Sequence, residues 1–234
     1  MHLEAHAGLG WLIGTLAPDS DRRLRNCCVV AAVLPDIDAV AALHSWEAYN
    51  HWHHTFGHNA FLGVIVAAVC ALWFHKDRPL KRQALVAVAV LLSFFGHLLT
   101  DAYFTRYEIF LFWPLNRDPY LFAEGYSLQS PINHYLVYGA FAAAVALTFL
   151  KGVSPLDVIS PRLDRLVQAP FRKKDLECAQ CSKPCNVRCD RCEAPTCGKH
   201  ATLRWGFRVN CPECPKADPS TEEAATDEGS ADSS

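Results

Sequence analysis

The stretch QALVAVAVLLSFFGHLLTDAYF, residues 83–104, is long enough to cross a bilayer as one helix, yet it carries His97 and Asp101 in its second half. An ionisable group in the hydrocarbon core costs about 2.5–3.5 kcal/mol on insertion scales, so such residues tend to face partners inside a bundle and mark function. The i, i+4 spacing places both on one helix face. Two more runs, AFLGVIVAAVCALWF (60–74) and INHYLVYGAFAAAVALTFL (132–150), contain no charge, the first falling somewhat short of a full span. Surface helices of a soluble bundle need a polar face, and these two have none. Two earlier stretches, 5–17 and 27–43, are interrupted by His6 and by Asp36 and Asp38, and are expected to form short, re-entrant or cavity-lining helices. The expected fold is an all-α integral membrane helical bundle.

The average composition hides a division. The chain is 51% hydrophobic with a mean hydropathy of only +0.06, because residues 1–150 hold the apolar runs and 151–234 hold most of the cysteines and a polar tail. The expected organisation is a membrane domain over 1–150, a basic juxtamembrane linker over 151–176, a Cys-rich module over 177–215 and a disordered acidic tail over 216–234. Lys76, Arg78, Lys81 and Arg82 crowd the 75–82 connection, whereas the longer 105–131 connection carries Arg106 and Arg117. The positive-inside rule then puts the 75–82 loop, DRRLR (21–25) and the C-terminus in the cytoplasm of an inner or plasma membrane protein, with 105–131 outside. The N-terminus has neither the basic flank nor the apolar run of a signal peptide. A net charge of −2 argues against nucleic acid as a partner and leaves membrane lipids as the expected one.

Four polar motifs fall within or beside the apolar runs: His6, LPDID with Asp36 and Asp38, HWHHTFGHN (51–59), and GHLLTDA with His97 and Asp101. Under the topology above, the last three sets approach the outer half of the bilayer together. Imidazoles with carboxylates form the ligand set for Zn²⁺ or Mn²⁺, and a cation would also neutralise carboxylates that have no cationic partner in these segments. Each motif alone also fits a plain His–Asp hydrogen bond or a core histidine.

LPDID, HHTFGHN and GHLLTDA, followed by FLFWPL (110–115), resemble the YdjM-type inner-membrane metal-dependent hydrolases, over roughly residues 1–150. That resemblance implies metal ligation by His6, Asp36, Asp38, His53, His58, His97 and Asp101, with Asp38 and His54 in catalytic roles. Three positions depart from the family pattern. Ala39 and His54 stand where it has His and Arg, and Gly57–His58–Asn59 replaces Thr-His-Ser, which removes two side chains expected to orient ligands. His54 is expected to take over the cationic role of the Arg, and His44 that of the missing His. A distant likeness to helical zinc phospholipases C and single-strand nucleases implies phosphodiesterase-like chemistry, and ligands close to a membrane favour a lipid-like substrate.

The C-terminal module spaces its ligands as Cys178-x2-Cys181, Cys189-x2-Cys192, Cys197-x2-His200 and Cys211-x2-Cys214, leaving Cys185 over. Eight soft ligands suffice for two tetrahedral zinc ions. A disulfide framework is the alternative, but the topology places the module in a reducing compartment. Likeness to a B-box with a RING-like CPEC implies a cross-brace: Cys178, Cys181, Cys197 and His200 on one zinc, and Cys189, Cys192, Cys211 and Cys214 on the other. Lys199, Arg204 and Arg208, with Trp205 and Phe207 between them, would suit a cytoplasmic protein partner, since the acidic tail would repel phosphates. The sequence therefore points to a membrane-bound metal-dependent hydrolase. A non-catalytic membrane metal protein and a tethered adaptor remain as alternatives.

Overall fold

A computed structural model describes residues 2–74, 79–106, 108–119, 126–127, 129–171, 176–205 and 207–212. Lys76, Arg78, Arg172, Lys173, Lys174, Cys214 and the acidic tail, on which parts of the sequence reading rest, lie outside the described residues. The chain forms two compact units, Met1–Ile159 and Ser160–Ser234.

The first unit is helical throughout: α1 (Leu3–Leu16), α2 (Arg22–Val33), a 3-10 segment (Leu34–Leu43), α3 (Trp46–Trp52), α4 (Ala60–Trp73), α5 (Leu80–Phe104), α6 (Pro131–Lys151) and a short 3-10 turn (Pro155–Asp157). Local chemistry sets the boundaries. Asp21, Ser45 and Asn59 each accept a backbone N–H at the start of α2, α3 and α4, satisfying donors that a helix start leaves unpaired. At the end of α6, Gly152 takes the left-handed conformation that a Cβ would penalise. Pro35, inside LPDID, cannot supply the N–H that an α-helix would use there, and the backbone continues as a 3-10 helix.

Among the described residues, three helical stretches are long and apolar enough to cross a membrane: Arg22–Leu43, Leu80–Phe104 and Pro131–Lys151, with Ala60–Trp73 shorter. The first of these begins before the stretch expected over 27–43, whose Val29, Val30, Val33, Ile37 and Ala39 line a cavity, one of the roles expected of it. Its arginines lengthen the helix at the N-terminal side because they have partners. Arg25 Nε and Nη2 lie 2.9 and 2.5 Å from Asp157 Oδ2, and Arg22 Nε donates to the Asp157 carbonyl at 2.5 Å.

The core is built on α2, α4 and α5, from Leu24, Cys28, Ala31, Ala67, Val86, Val90 and Phe94. α1 packs on α2 closely enough that a Cβ at Gly10 would clash with the Cys28 carbonyl. The outside is apolar: Val64, Ile65, Val69 and Leu72 of α4 and Tyr135, Tyr138, Phe141 and Phe149 of α6 are exposed. Such an apolar exterior would be a liability in water and suits a bilayer better.

The Arg25–Asp157 pair gives a test of how residues 151–159 are held. Both side chains are buried, with Arg25 at 7% and Asp157 at 4% exposure. Removing one partner strands a buried charge, which costs about 3–5 kcal/mol. Asp157→Ala is expected to lower the unfolding midpoint of the detergent-solubilised protein markedly. Asp157→Asn, which keeps an acceptor for the guanidinium, should cost less.

The second unit contains α7 (Pro161–Gln168) and three antiparallel hairpins: β1 (Leu176–Glu177) with β2 (Pro184–Cys185), β3 (Val187–Arg188) with β4 (Pro195–Thr196), and β5 (Thr202–Arg204) with β6 (Arg208–Asn210). Arg165 of α7 reaches Asp190 Oδ1 at 2.6 Å, and Asp190 Oδ2 accepts the Val209 N–H at 2.7 Å.

Candidate metal centres

Four elements of the first unit bring the polar motifs together. α1 carries His6, the 3-10 segment carries Asp36 and Asp38, the loop between α3 and α4 carries His53, His54 and His58, and α5 carries His97 and Asp101. All of these are buried except Asp36 and His53, which are partly so. Close approach of the loop to LPDID depends on Gly57, where a Cβ would overlap the Pro35 carbonyl. Its N–H is thereby free to reach Asp38 Oδ2, at 3.2 Å. Asn59, where the family pattern has Ser, caps α4 and also donates to the Phe56 carbonyl at 2.5 Å.

The hydrogen-bond pattern fixes which atoms point inward. His97 Nδ1 lies 2.7 Å from the Ala32 carbonyl, which only accepts, so Nδ1 carries the proton. His58 Nδ1 lies 3.0 Å from Asp38 Oδ2 and by the same logic donates. In their neutral forms both rings therefore turn a lone pair, on Nε2, toward the middle. Those two nitrogens are 3.0 Å apart. Asp101 Oδ2 is 3.2 Å from His97 Nε2 and 3.4 Å from His58 Nε2, and Asp36 Oδ1 is 3.7 and 3.8 Å from the same nitrogens. In those neutral forms four acceptors converge with no donor among them, a set that a metal ion, or a second proton on one imidazole, would satisfy. Ligands about 2.0–2.1 Å from one Zn²⁺ in tetrahedral array sit about 3.3 Å apart, and the observed spacings bracket that value.

His6 and Asp38 occupy different places. His6 stacks on His97 with ring centroids 3.6 Å apart, and its Nε2 lies 3.1 Å from Asp101 Oδ1. That contact lacks hydrogen-bond alignment, and neither ring nitrogen has a hydrogen-bond partner although the side chain is fully buried. A second cation beside Asp101 would resolve this. Asp38 faces away from the four acceptors: its Oδ1 takes His53 Nδ1 at 2.7 Å while its Oδ2 takes His58. His54 adopts a left-handed backbone (φ 66°), stacks on His58 and brings Nε2 to 3.6 Å from Asp101 Oδ2. His44 is exposed at the end of the 3-10 segment and does not join the cluster.

A cavity of about 570 Å³ opens onto this cluster. Leu3, Val29, Val30, Val33 and Ile37 form aliphatic walls, and Asp36, His53, His54 and Asp101 reach its floor. Ala39 lines it too, at the position where the family pattern has a bulkier His. Sequence reasoning missed Tyr49 and Thr105, which also line it. Tyr49 stacks on His53 at 4.5 Å, a one-turn spacing that could have flagged it.

In the second unit, Cys178, Cys181, Cys197 and His200 form one group whose ligand atoms lie within 4.8 Å of one another, and Cys189, Cys192 and Cys211 form another. The first interleaves with the second along the chain. Distances of 3.5 Å (Cys178 Sγ to His200 Nδ1), 3.6 Å (Cys181 to Cys197) and 3.4 Å (Cys192 to Cys211) are close to the edges of a zinc tetrahedron, about 3.5–3.8 Å. Ser182 and Glu193, each directly after the second Cys of a pair, both take left-handed backbone (φ 51° and 58°), so the two turns are built alike. The Gln180 N–H and the His200 ring hold the Cys178 thiol down at about 6. Burial pushes the Cys189 thiol up, but the N–H groups of Cys192, Arg191 and Cys211 outweigh it and bring it to about 6. Both shifts favour the thiolate, the form that binds metal. Cys185 is buried against Cys178 and Cys197 and serves as a small apolar residue.

The model of the YdjM inner membrane protein family matches residues 1–159. The chain belongs to that family, an inner membrane one with helices suited to spanning. Neither a curated protein nor a solved structure matches it.

Proposed function

We propose that this protein is an integral inner-membrane hydrolase that uses divalent metal to cleave a phosphoester in a lipid-like substrate, with its C-terminal zinc module in the cytoplasm. The observation that carries this is that two of the four converging acceptors, Asp36 and Asp101, reach the floor of an aliphatic cavity, with His58 and His97 buried behind them. A structural site would be sealed and saturated, whereas here Asp36, His54 and Asp101 are reachable from the cavity.

Divalent metal held by His58, His97, Asp36 and Asp101 would lower the pKa of water and polarise a phosphoryl oxygen. The protein's own groups do the rest. Asp38 accepts from both His53 and His58 and so holds the His58 ring with Nε2 inward. His97 is held likewise by the Ala32 carbonyl. Burial holds the His54 pKa well below the usual imidazole value, so the ring stays neutral and does not take the cationic role expected of it. At the cavity floor beside Asp101 it is placed to accept a proton. The aliphatic walls exclude water and fit acyl chains better than a soluble, charged ester.

The test uses the full chain in detergent, loaded with Zn²⁺ or Mn²⁺, against dioctanoyl phospholipids and bis(p-nitrophenyl) phosphate. Metal-dependent release of product is expected. His54→Gln is expected to lower turnover about 10²–10⁴-fold, the usual range for a group that moves a proton, with metal content unchanged. Full metal occupancy with no turnover of any phosphoester would overturn the reading.

A further inference from the structure

His53 separates two cavities. Its far side borders one of about 590 Å³ that differs in chemistry from the aliphatic cavity. Arg106, Arg117, His51, Trp52, Trp113 and Glu108 line it, so guanidinium charge exceeds carboxylate charge. The segment bearing the arginines is strapped to the metal-binding loop. The Phe110 N–H donates to the His54 carbonyl at 3.3 Å, and the Ala60 N–H donates to the Leu111 carbonyl at 2.8 Å. Ile109, directly before Phe110, is buried at 2% exposure. The cationic cavity is therefore fixed in place beside the cluster.

We propose that this second cavity receives the anionic headgroup of an amphiphile whose chains lie in the aliphatic cavity, with His53 at the junction. The proposal rests on the hydrolase reading and adds the class of substrate. Guanidinium groups pair with phosphate oxygens through two parallel hydrogen bonds, and although a choline lipid carries the same phosphodiester, its ammonium would be brought beside two like charges. Trp52 and Trp113 are the side chains expected at the depth of lipid headgroups. Glu108 is available to accept from headgroup hydroxyls. An aliphatic slot on one side of His53 and a cationic, aromatic one on the other match the two ends of an anionic phospholipid.

Binding is read from tryptophan emission of the full, metal-loaded protein in detergent, since two of its tryptophans line the cavity. The probes are dioctanoyl phosphatidylglycerol, dioctanoyl phosphatidylcholine and inorganic phosphate. The anionic lipid is expected to bind about tenfold more tightly than the zwitterionic one, equivalent to about 1.4 kcal/mol. Phosphate alone should compete only weakly. Arg117 is exposed, so Arg117→Gln should fold normally. It is expected to remove most of the preference for the anionic lipid, and Arg106→Gln should remove the remainder. Equal affinity for the two lipids, or a preference that survives both substitutions, would overturn the proposal. So would phosphate competing as well as the anionic lipid, which would mark a site for free anions. Released headgroup is measured separately. Charge-selective binding without hydrolysis sinks the hydrolase reading and keeps the headgroup cavity, whereas hydrolysis of both lipids at equal affinity sinks the headgroup cavity alone.

Discussion

Asp101→Asn is expected to strip metal from the helical unit and to lower hydrolysis at least about a hundredfold, because this one carboxylate faces four imidazoles. Its Oδ1 lies 3.1 Å from His6 Nε2, and its Oδ2 lies 3.2, 3.4 and 3.6 Å from Nε2 of His97, His58 and His54. The amide keeps the shape but loses the charge, and an NH₂ turned inward would face lone pairs that want a cation. Even residues that only orient ligands cost 10–100-fold in metal affinity when changed, so a converging oxygen should cost at least that. Asp38→Asn supplies the contrast. Asp38 touches His53 and His58 through their Nδ1 atoms and stands behind the cluster. Its loss should weaken metal binding and yield to higher metal concentration, whereas the Asp101 defect should not. Metal analysis at several free-metal concentrations, with helix content followed by circular dichroism, separates the two. An Asp101→Asn protein that keeps its helical-unit metal would show that the cluster does not bind one.

That distinction marks where the sequence stops being informative. The helices and the sets that meet were readable because ionisable groups interrupt apolar runs, and because i, i+4 spacing puts His97 and Asp101 on one face. Which atom of each residue points inward was not readable. Asp36 and Asp38 sit two apart in LPDID, and only the 3-10 path after Pro35 turns one toward Nε2 of His58 and His97 and the other toward the Nδ1 atoms. The replacement of Thr-His-Ser by Gly57–His58–Asn59 suggested lost orienting bonds. The structure shows the Gly57 N–H reaching Asp38 and Asn59 capping α4, contacts that a motif comparison has no means to supply. The two cavities were invisible for a similar reason. Their walls come from α1, α2, α3 and residues 105–117, and no local pattern announces such a meeting.

In the second unit, spacing alone carried more, because Cys/His groups that could hold a metal ion are made of short pairs whose geometry is nearly local. The consequence is a large effect of metal removal. Among the described residues of that unit, Val209 is the one buried apolar side chain that is not a cysteine, and each hairpin pairs only two or three residues per strand. Isolated hairpins of that length are not stable in water. Structural zinc contributes apparent free energies of about 10–16 kcal/mol in comparable small modules, so its removal should unfold this one outright. Treating the full chain with chelator is expected to bring amides over 176–212 to complete hydrogen exchange within seconds. Those of α2 and α5, which pack through an apolar core, should stay protected even where chelator also empties the helical unit's site. Acid should act in the same direction. The thiolate is the ligating form, so protons compete with the metal as pH falls. With metal bound, the loss is expected below the value of about 6 to which the metal-free Cys178 and Cys189 thiols are held down. Cys185→Ser is the control. It puts a hydroxyl into the contact with Cys178 and Cys197 at a cost of about 1–3 kcal/mol, yet should leave the zinc count of the unit at two. A fall to one zinc on that substitution would mean that Cys185 is a ligand, and protection surviving chelation would mean that the hairpins hold without metal.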